Sequence, residues 1–449
     1  MWQILGLVIA LVSLIILVFK KVPTVVAVII ASLIGGVLNG LDPWVSLNAL
    51  ATGTGNTFAS YFYIVFLATV YGELMSSTGC ANTISNTLIK VFGIKRVVLV
   101  VILTTALLVY GGVTALAVCF TIVPIGLSLI KKANISKKYL PAMISFGQAT
   151  FALAALPGAP QLNNLIPSEV LHTYSTAGAL LGCIGALVMF ALGYCYLSIR
   201  VNNSIKKGEH FEDELVKPGS LKIMDEKDCP TVVQGFLPLI ILIVLYLLFD
   251  RVTIFGYSFK ASGTYSSVST AMFISIIYLV VLGFATGKKK ETIATIKQGC
   301  VDWIKPLLNF SMIVGFGSVI KITAGFNNLV DFALSLDING YISAAVSVCM
   351  LAGVTGSASG GIKIALSSET LVNSWLSSGL NVNALHRIIS ISSCGLDSLP
   401  HCGGVLATLD ACNENHSRSY WDIFVVTVIV PIITTVVVVV ALAILNIGC

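Results

Sequence analysis

The second half of this 449-residue chain repeats the first half in the places where its apolar segments are interrupted. Each half has an apolar run broken at glycine and threonine, and then a segment broken at a Leu-Pro pair. In the first half these are the first tip (111–114) and the first break (156–160), and in the second half the second tip (353–357) and the second break (399–404). Irregular backbone at membrane depth must be buried in protein or line a cavity. Matching interruptions therefore predict a functional site built from both halves.

Composition predicts a polytopic membrane protein. Charged residues make up 10% of the chain and hydrophobic residues 56%, with a mean hydropathy of +0.95, which excludes a soluble protein with a polar surface. Two interrupted apolar segments, the broken helices, occupy 139–170 and 384–412. Continuous segments of about 17–25 residues, long enough to span a bilayer, lie near 2–19, 22–39, 57–77, 175–199, 233–250, 267–286, 305–325 and 421–446.

Basic clusters orient these segments. They lie at 20–21, 90–96, 200–207 and 288–290, and the positive-inside rule places them in the cytoplasm. Both termini are then predicted outside. Because the net charge of +6 belongs mostly to such clusters at helix ends, it implies a lipid bilayer around the protein and no nucleic-acid partner.

Two long apolar runs are predicted to be re-entrant hairpins. The run 97–131 has basic pairs at both ends, so both ends lie on one side of the membrane, and 341–376 is its counterpart from the outside. The predicted fold is an all-α polytopic membrane protein of two inverted-topology repeats, each with about five transmembrane helices, a re-entrant hairpin and a broken helix. The repeats are 1–199 and 232–449, joined by a cytoplasmic linker at 200–231.

The hairpin tips are candidate anion sites. A helix that begins at each tip directs free N–H groups and the positive end of its dipole at one spot, and nearby hydroxyls can donate to a carboxylate. Small residues could instead serve close helix packing, and this alternative stays open for each Ser and Thr. The candidate substrate-binding residues at the tips are Gly112, Val113, Thr114, Thr355, Gly356, Ser357 and Ser359.

The breaks carry the complementary polar groups. Asp397 is the predicted cation-coupling residue, because a buried carboxyl group can take up and release a proton, although a structural ion pair is the alternative. His401 could equally be a structural histidine. The other candidates at the breaks are Gln161, Asn163, Asn164 and Ser398.

Three basic residues lie in or beside apolar segments of the second half. Lys363 follows the second tip, where the first half has Ile122, and it could pair with a substrate carboxylate or with Asp397. Arg387 is expected near the outer interface and Lys321 near the membrane surface, where long side chains reach water. The cysteines show no metal-ligand spacing, so no metal is predicted.

These segments resemble the gluconate permease family of the ion transporter superfamily. The most specific stretches are 110–114, 155–167 and 395–403, and they are most similar to the branch of 3-hydroxybutyrate permeases. The first tip reads Gly-Gly-Val-Thr where the gluconate branch carries an acidic residue. The resemblance implies a homodimer in the bacterial cytoplasmic membrane, with a scaffold domain and a transport domain that moves as an elevator.

We therefore expect a symporter, not an enzyme, that imports a small hydroxy-monocarboxylate such as 3-hydroxybutyrate. The expected coupling ion is H⁺, with no cofactor. A Na⁺-coupled organic-anion symporter and a gluconate or sugar-acid:H⁺ symporter are the alternatives. A channel would not need two closed tips, and a membrane enzyme would need a nucleophile–base pair or a metal cluster that the sequence does not show.

Overall fold

The computed structural model describes residues 2–20, 22–110, 115–159, 161–212, 228–251, 266–334 and 339–445. These residues form helices and turns without any β-strand among them, so the all-α prediction is confirmed for this part of the chain. The α-helices are α1 Trp2–Phe19, α2 Thr24–Leu38, α3 Pro43–Ser77, α4 Cys80–Phe92, α5 Val97–Tyr110, α6 Ala115–Lys132, α7 Leu140–Ala149, α8 Leu162–Val170, α9 Ala179–Lys206, α10 Val232–Arg251, α11 Ser266–Ala285, α12 Lys289–Asp302, α13 Ile304–Lys321, α14 Ala324–Leu334, α15 Gly340–Thr355, α16 Ala358–Ser367, α17 Glu369–Ser377, α18 Val382–Ser392, α19 Gly403–Ala411, α20 His416–Phe424 and α21 Val430–Leu445. Two π-helices, Phe151–Ala155 and Val425–Ile429, and two 3₁₀ turns, Ile94–Arg96 and Lys137–Tyr139, join some of them.

Several helices are long and apolar enough to cross a bilayer, which is consistent with a polytopic membrane protein. In the described residues they are Trp2–Phe19, Pro43–Ser77, Ala179–Lys206, Lys289–Lys321 and His416–Ile444. The helix predicted at 57–77 begins earlier, at Pro43, and runs for 35 residues. Asp42 starts it, because its Oδ1 accepts from the backbone N of Trp44 at 2.8 Å and proline suits the first helical position.

Helix α4, like α12 and most of α14, is absent from the sequence-based prediction. It meets the segment Ile94–Tyr110 at an angle of 105°. Gly93 makes this corner with φ +80°, in the left-handed region that glycine adopts without steric cost. Hydropathy does not predict α4, because a helix this short and polar cannot span a bilayer alone.

The order of elements recurs in the two halves. The first half runs α3, α4, α5, α6, and then α7, a π-helix, an interruption and α8. The second half runs α13, α14, α15, α16, and later α18, an interruption and α19. Helix α13 packs along α3, α5 packs on α6, and α15 packs on α16. The recurrence supports an internal repeat, and the inverted orientation stays a prediction.

The start of the linker ties the halves together at one end of the helices. Glu212 accepts from Ser136 Oγ (2.9 Å) and the backbone N of Lys137 (2.9 Å) in the first half, and from Arg418 Nη2 (2.7 Å) in the second. Lys137 Nζ also lies 3.6 Å from Glu414 Oε1. The segments before the first broken helix and after the second therefore meet.

Candidate functional site

The second tip and the second break touch. Helix α15 ends at the tip, where Gly356 has φ +59°, and the break lies between α18 and α19. His401 Nε2 lies 3.1 Å from Gly353 O. A Cβ at Gly353 would lie 2.8 Å from Leu396 Cβ, so only glycine allows this approach. The structure thus brings two of the predicted interruptions together.

His401 has a polar atom without a partner. A carbonyl oxygen only accepts, so Nε2 must carry the proton that is donated to Gly353 O. In a neutral imidazole Nδ1 is then an acceptor, and it has no hydrogen-bond partner within the described part of the chain. The side chain is 1% exposed. Because buried polar atoms are nearly always paired, this acceptor marks a place where a ligand or water could donate.

Asp397 is buried beside a hydroxyl group. It is 6% exposed, and its Oδ1 accepts from Ser398 Oγ at 2.9 Å. No ion pair joins it to a basic residue that the structure describes. In particular, Lys363 is exposed and forms no ion pair with it, so the pairing considered from the sequence is absent in this structure.

Helix α20 supports the loop of the second break. Tyr420 OH donates to Ser398 O at 3.1 Å. His416 Nε2 lies 2.9 Å from Pro400 O and donates to it. Both contacts fix the backbone of the break and leave the side chains of Asp397 and His401 to other partners.

The hydroxyl groups of the second tip are not equivalent. Thr355 Oγ1 donates its single proton to Leu351 O at 2.8 Å, so it can offer a ligand only lone pairs. Ser357 Oγ accepts from Gly360 N at 3.1 Å and caps α16. The backbone N–H groups of Ala358 and Ser359, in the first turn, have no partner within the helix. They are the donors that this tip can direct at an anion.

The first tip lies outside the described residues. The candidates there, Gly112, Val113 and Thr114, stay predictions. Next to it, at the end of α5, Tyr110 OH donates to Pro157 O at 3.1 Å. The end of α5 therefore lies beside the first break.

The amides of the first break are engaged within the protein. Each amide nitrogen donates to a protein acceptor: Gln161 to Val109 O (2.7 Å), Asn163 to Ser393 Oγ (2.8 Å) and Asn164 to Ala159 O (3.2 Å). Ser390 Oγ also donates to Asn163 O at 2.8 Å. These bonds join the first break to α18, which leads into the second break.

Arg387 is a buried residue next to the first break that no sequence pattern selects as a site residue. It was expected near the outer interface, but its side chain is fully buried, at 0% exposure. Its Nη1 donates to Ala154 O (3.0 Å) and Ala155 O (3.4 Å), two carbonyls at the end of the π-helix where the regular helix stops. No sequence pattern indicates these contacts, because the partners lie more than 200 positions away.

A separate cavity of 110 Å³ lies between α3, α6 and α19. Glu73, Asp302, Asp410 and Lys137 contribute to its lining. Asp410 already accepts from Asn309 Nδ2 at 2.8 Å. Among the residues that the structure describes, no group of three or more His, Cys, Asp or Glu side chains is arranged to hold a metal.

Comparisons with known proteins give consistent results. A family model described as GntP family permease matches residues 2–398. The chain is 32% identical over 396 residues to the uncharacterized transporter YxjC of Bacillus subtilis (strain 168), covering 82% of this chain and 83% of that protein. It is 23% identical over 385 residues to the D-serine transporter DsdX of Escherichia coli (strain K12), covering 83% and 82%. It is 24% identical over 348 residues to the high-affinity gluconate transporter of the same strain, covering 75% and 74%.

Proposed function

The chain belongs to the GntP family of permeases, and on that premise we propose that it is a symporter that imports a small hydroxy-monocarboxylate together with H⁺. Membership of a permease family supports a transporter rather than an enzyme. The proposed substrate is a short acid such as 3-hydroxybutyrate, bound where the second tip meets the second break. The residues of the first tip would complete the site.

The observation that carries this proposal is the unpartnered Nδ1 of His401 beside the second tip. This nitrogen would accept a hydrogen bond from the substrate's hydroxyl group. The N–H groups of Ala358 and Ser359 would hold the carboxylate, as helix N-termini hold anions. D-serine and gluconate appear in the names of two relatives, and both carry a carboxylate and a hydroxyl group. The proposed site would recognise the same two groups.

The proposed coupling group is Asp397. A carboxyl group that is buried without a cation costs far less free energy protonated than ionised. Protonation would let the loaded site cross the membrane without an uncompensated charge on Asp397. Carboxylate, hydroxyl and carbonyl oxygens of the second break would also suit Na⁺, so Na⁺ is the alternative coupling ion. Gluconate is the alternative substrate.

We also propose that the two halves are inverted repeats in a homodimer that works as an elevator in the cytoplasmic membrane. The recurring order of helices and the positions of the basic clusters support this topology. Single cysteines at Lys95 and Lys132, in a cysteine-free background, should both be labelled from the cytoplasm, and one at Ser378 from the outside. Labelling of Lys95 and Lys132 from opposite faces would contradict the hairpin.

The function is tested with purified protein in liposomes. The panel contains 3-hydroxybutyrate, D-serine and gluconate, and an inward proton gradient and an inward sodium gradient are applied separately. We expect accumulation of 3-hydroxybutyrate under the proton gradient alone. Accumulation under sodium alone would favour the alternative coupling ion, and accumulation of gluconate alone would favour the alternative substrate. Failure to accumulate any of the three would overturn the proposal.

A further inference from the structure

We propose that Arg387 is a positioning residue of the transport site, which fixes the first break against the second half of the chain. This inference rests on the proposed function, since a positioning residue is defined by the site that it serves. It concerns a residue that does not contact the substrate itself.

All the donor capacity of Arg387 is used within the protein. A guanidinium group has five N–H groups, and here every nitrogen donates to an oxygen on the first half of the chain. The remaining bonds are Nη1 to Asn164 Oδ1 (2.8 Å), Nη2 to Ser175 O (3.0 Å) and Ala177 O (2.8 Å), and Nε to Ala177 O (3.0 Å). Arg387 therefore has no donor left for a substrate anion, which excludes a role as a carboxylate ligand in this conformation.

Arg387 also forms no ion pair with any acid that the structure describes. Its buried charge is balanced by carbonyl and amide oxygens, which form strong hydrogen bonds to an ionised donor. A fully buried charge is costly unless it is well hydrogen-bonded. Two of its partners, Ala154 O and Ala155 O, are carbonyls at the end of the interrupted helix, and there the guanidinium group takes the place of missing helical bonds.

The neighbouring helix α9 is shaped around this side chain. A Cβ at Gly182 would lie 2.6 Å from Ala155 O and 3.1 Å from Arg387 Nε. A Cβ at Gly178 would lie 2.8 Å from Arg387 Cβ. A larger residue at Gly182 would therefore displace the guanidinium group or its acceptor, and one at Gly178 would meet the base of the Arg387 side chain.

A short chain of contacts leads from Arg387 to the second break. Asn164 Oδ1 accepts from Arg387, and the adjacent Asn163 donates to Ser393 Oγ. Ser393 opens the loop that carries Asp397. A shift of the first break would therefore move the residue that anchors the loop of the coupling group.

The test compares Arg387→Lys with Arg200→Lys. Lysine keeps the charge but has three donors on a flexible stem, so it cannot reproduce the five-donor fork. Arg200 is a control, because its Nε donates to Asp422 Oδ1 at 2.8 Å and so joins α9 to α20 and not to a residue of either break. We expect Arg387→Lys to raise the KM of uptake roughly tenfold or more, as for lost hydrogen bonds to a charged group. For Arg200→Lys we expect a change of less than about twofold.

Hydrogen exchange supplies a readout that does not depend on the substrate. Peptides that cover residues 151–170 should exchange faster in Arg387→Lys than in the parent, and at the parental rate in Arg200→Lys. Unchanged exchange in these peptides would overturn the proposal. Faster exchange with an unchanged KM would also overturn it, because Arg387 would then stabilise the first break without affecting uptake.

The outcomes separate this inference from the proposed function. If the parent transports D-serine or gluconate instead of 3-hydroxybutyrate, the substrate proposal fails, and the KM comparison is made with the acid that is transported. If the parent transports none of the panel, the exchange data alone decide whether Arg387 holds the break. Should Arg387→Lys not fold, Asn164→Ala removes one acceptor and keeps the arginine. A KM for Asn164→Ala within about twofold of the parent's would then overturn the proposal.

Discussion

The two breaks use the same Leu-Pro device but differ in how their polar groups are satisfied. In the first break, each amide nitrogen has a protein acceptor, and Arg387 binds the released carbonyls. In the second break, Nδ1 of His401 has no partner in the described chain, and Asp397 has a hydroxyl neighbour but no cation. Under the proposed function, the first break would position the site and the second would contact the substrate and the coupling ion.

A physical reason supports this division. Burying an unpaired polar atom costs free energy, and a ligand that pairs with it recovers that cost. A fully satisfied break is stable but has little left to offer a substrate. Variants at the second break should therefore alter transport more than matched variants nearby.

The largest effect is expected for Asp397→Asn. An asparagine mimics the protonated carboxyl group and cannot release the proton, so uphill accumulation driven by a pH gradient should be lost while counterflow persists. Asp410→Asn is the matched control, because Asp410 is already bonded to Asn309 and should leave accumulation intact. Accumulation by Asp397→Asn at the parental level would show that Asp397 does not carry the proton.

A smaller effect is expected for His401→Gln. The glutamine amide can still donate to Gly353 O, but it removes the acceptor Nδ1. Loss of one neutral hydrogen bond should raise the KM of uptake roughly two- to tenfold. His416→Gln keeps an equivalent donor toward Pro400 O and should change the KM by less than about twofold. Equal effects of both variants would contradict a special role for His401.

The second tip gives a still smaller expected effect. Because the proton of Thr355 is committed to Leu351 O, Thr355→Val should change the KM by less than about twofold. Ser357→Ala removes both the cap of α16 and a hydroxyl, and should have the larger effect of the two. A tenfold change in Thr355→Val would show that its hydroxyl turns to the substrate, as the sequence alone suggested.

The sequence predicted the positions of these interruptions better than the roles of their residues. Glycine, proline and small polar residues inside apolar runs mark a break locally, so Gly353 and Pro400 could be found without a structure. The fully buried position of Arg387 could not, because its acceptors are carbonyls, which every residue has and no pattern distinguishes. Likewise, the sequence shows that Thr355 has a hydroxyl group that could donate to a substrate. Only the structure shows that this hydroxyl donates to Leu351 O.

The smallest transport effect is expected where the two broken helices meet outside the site. Burial raises the pKa of Glu414 above its ordinary 4.5 and lowers the pKa of Lys137 below 10.5, despite their mutual attraction. The free energy of unfolding should therefore fall as pH rises from 4.5, because the folded protein keeps the Glu414 proton longer. It should also fall as pH drops from 10.5, because the unfolded chain protonates Lys137 first.

Substitutions at this pair separate its effect on stability from any effect on transport. Glu414→Leu alone removes the acid that faces the buried Lys137 and should lower the free energy of unfolding by about 3–5 kcal/mol. Lys137→Met together with Glu414→Leu should leave it nearly unchanged. Thermal unfolding across pH measures both, and the double variant should flatten the two slopes and leave the KM unchanged. A raised KM in the double variant would show that this junction also helps to position the second break.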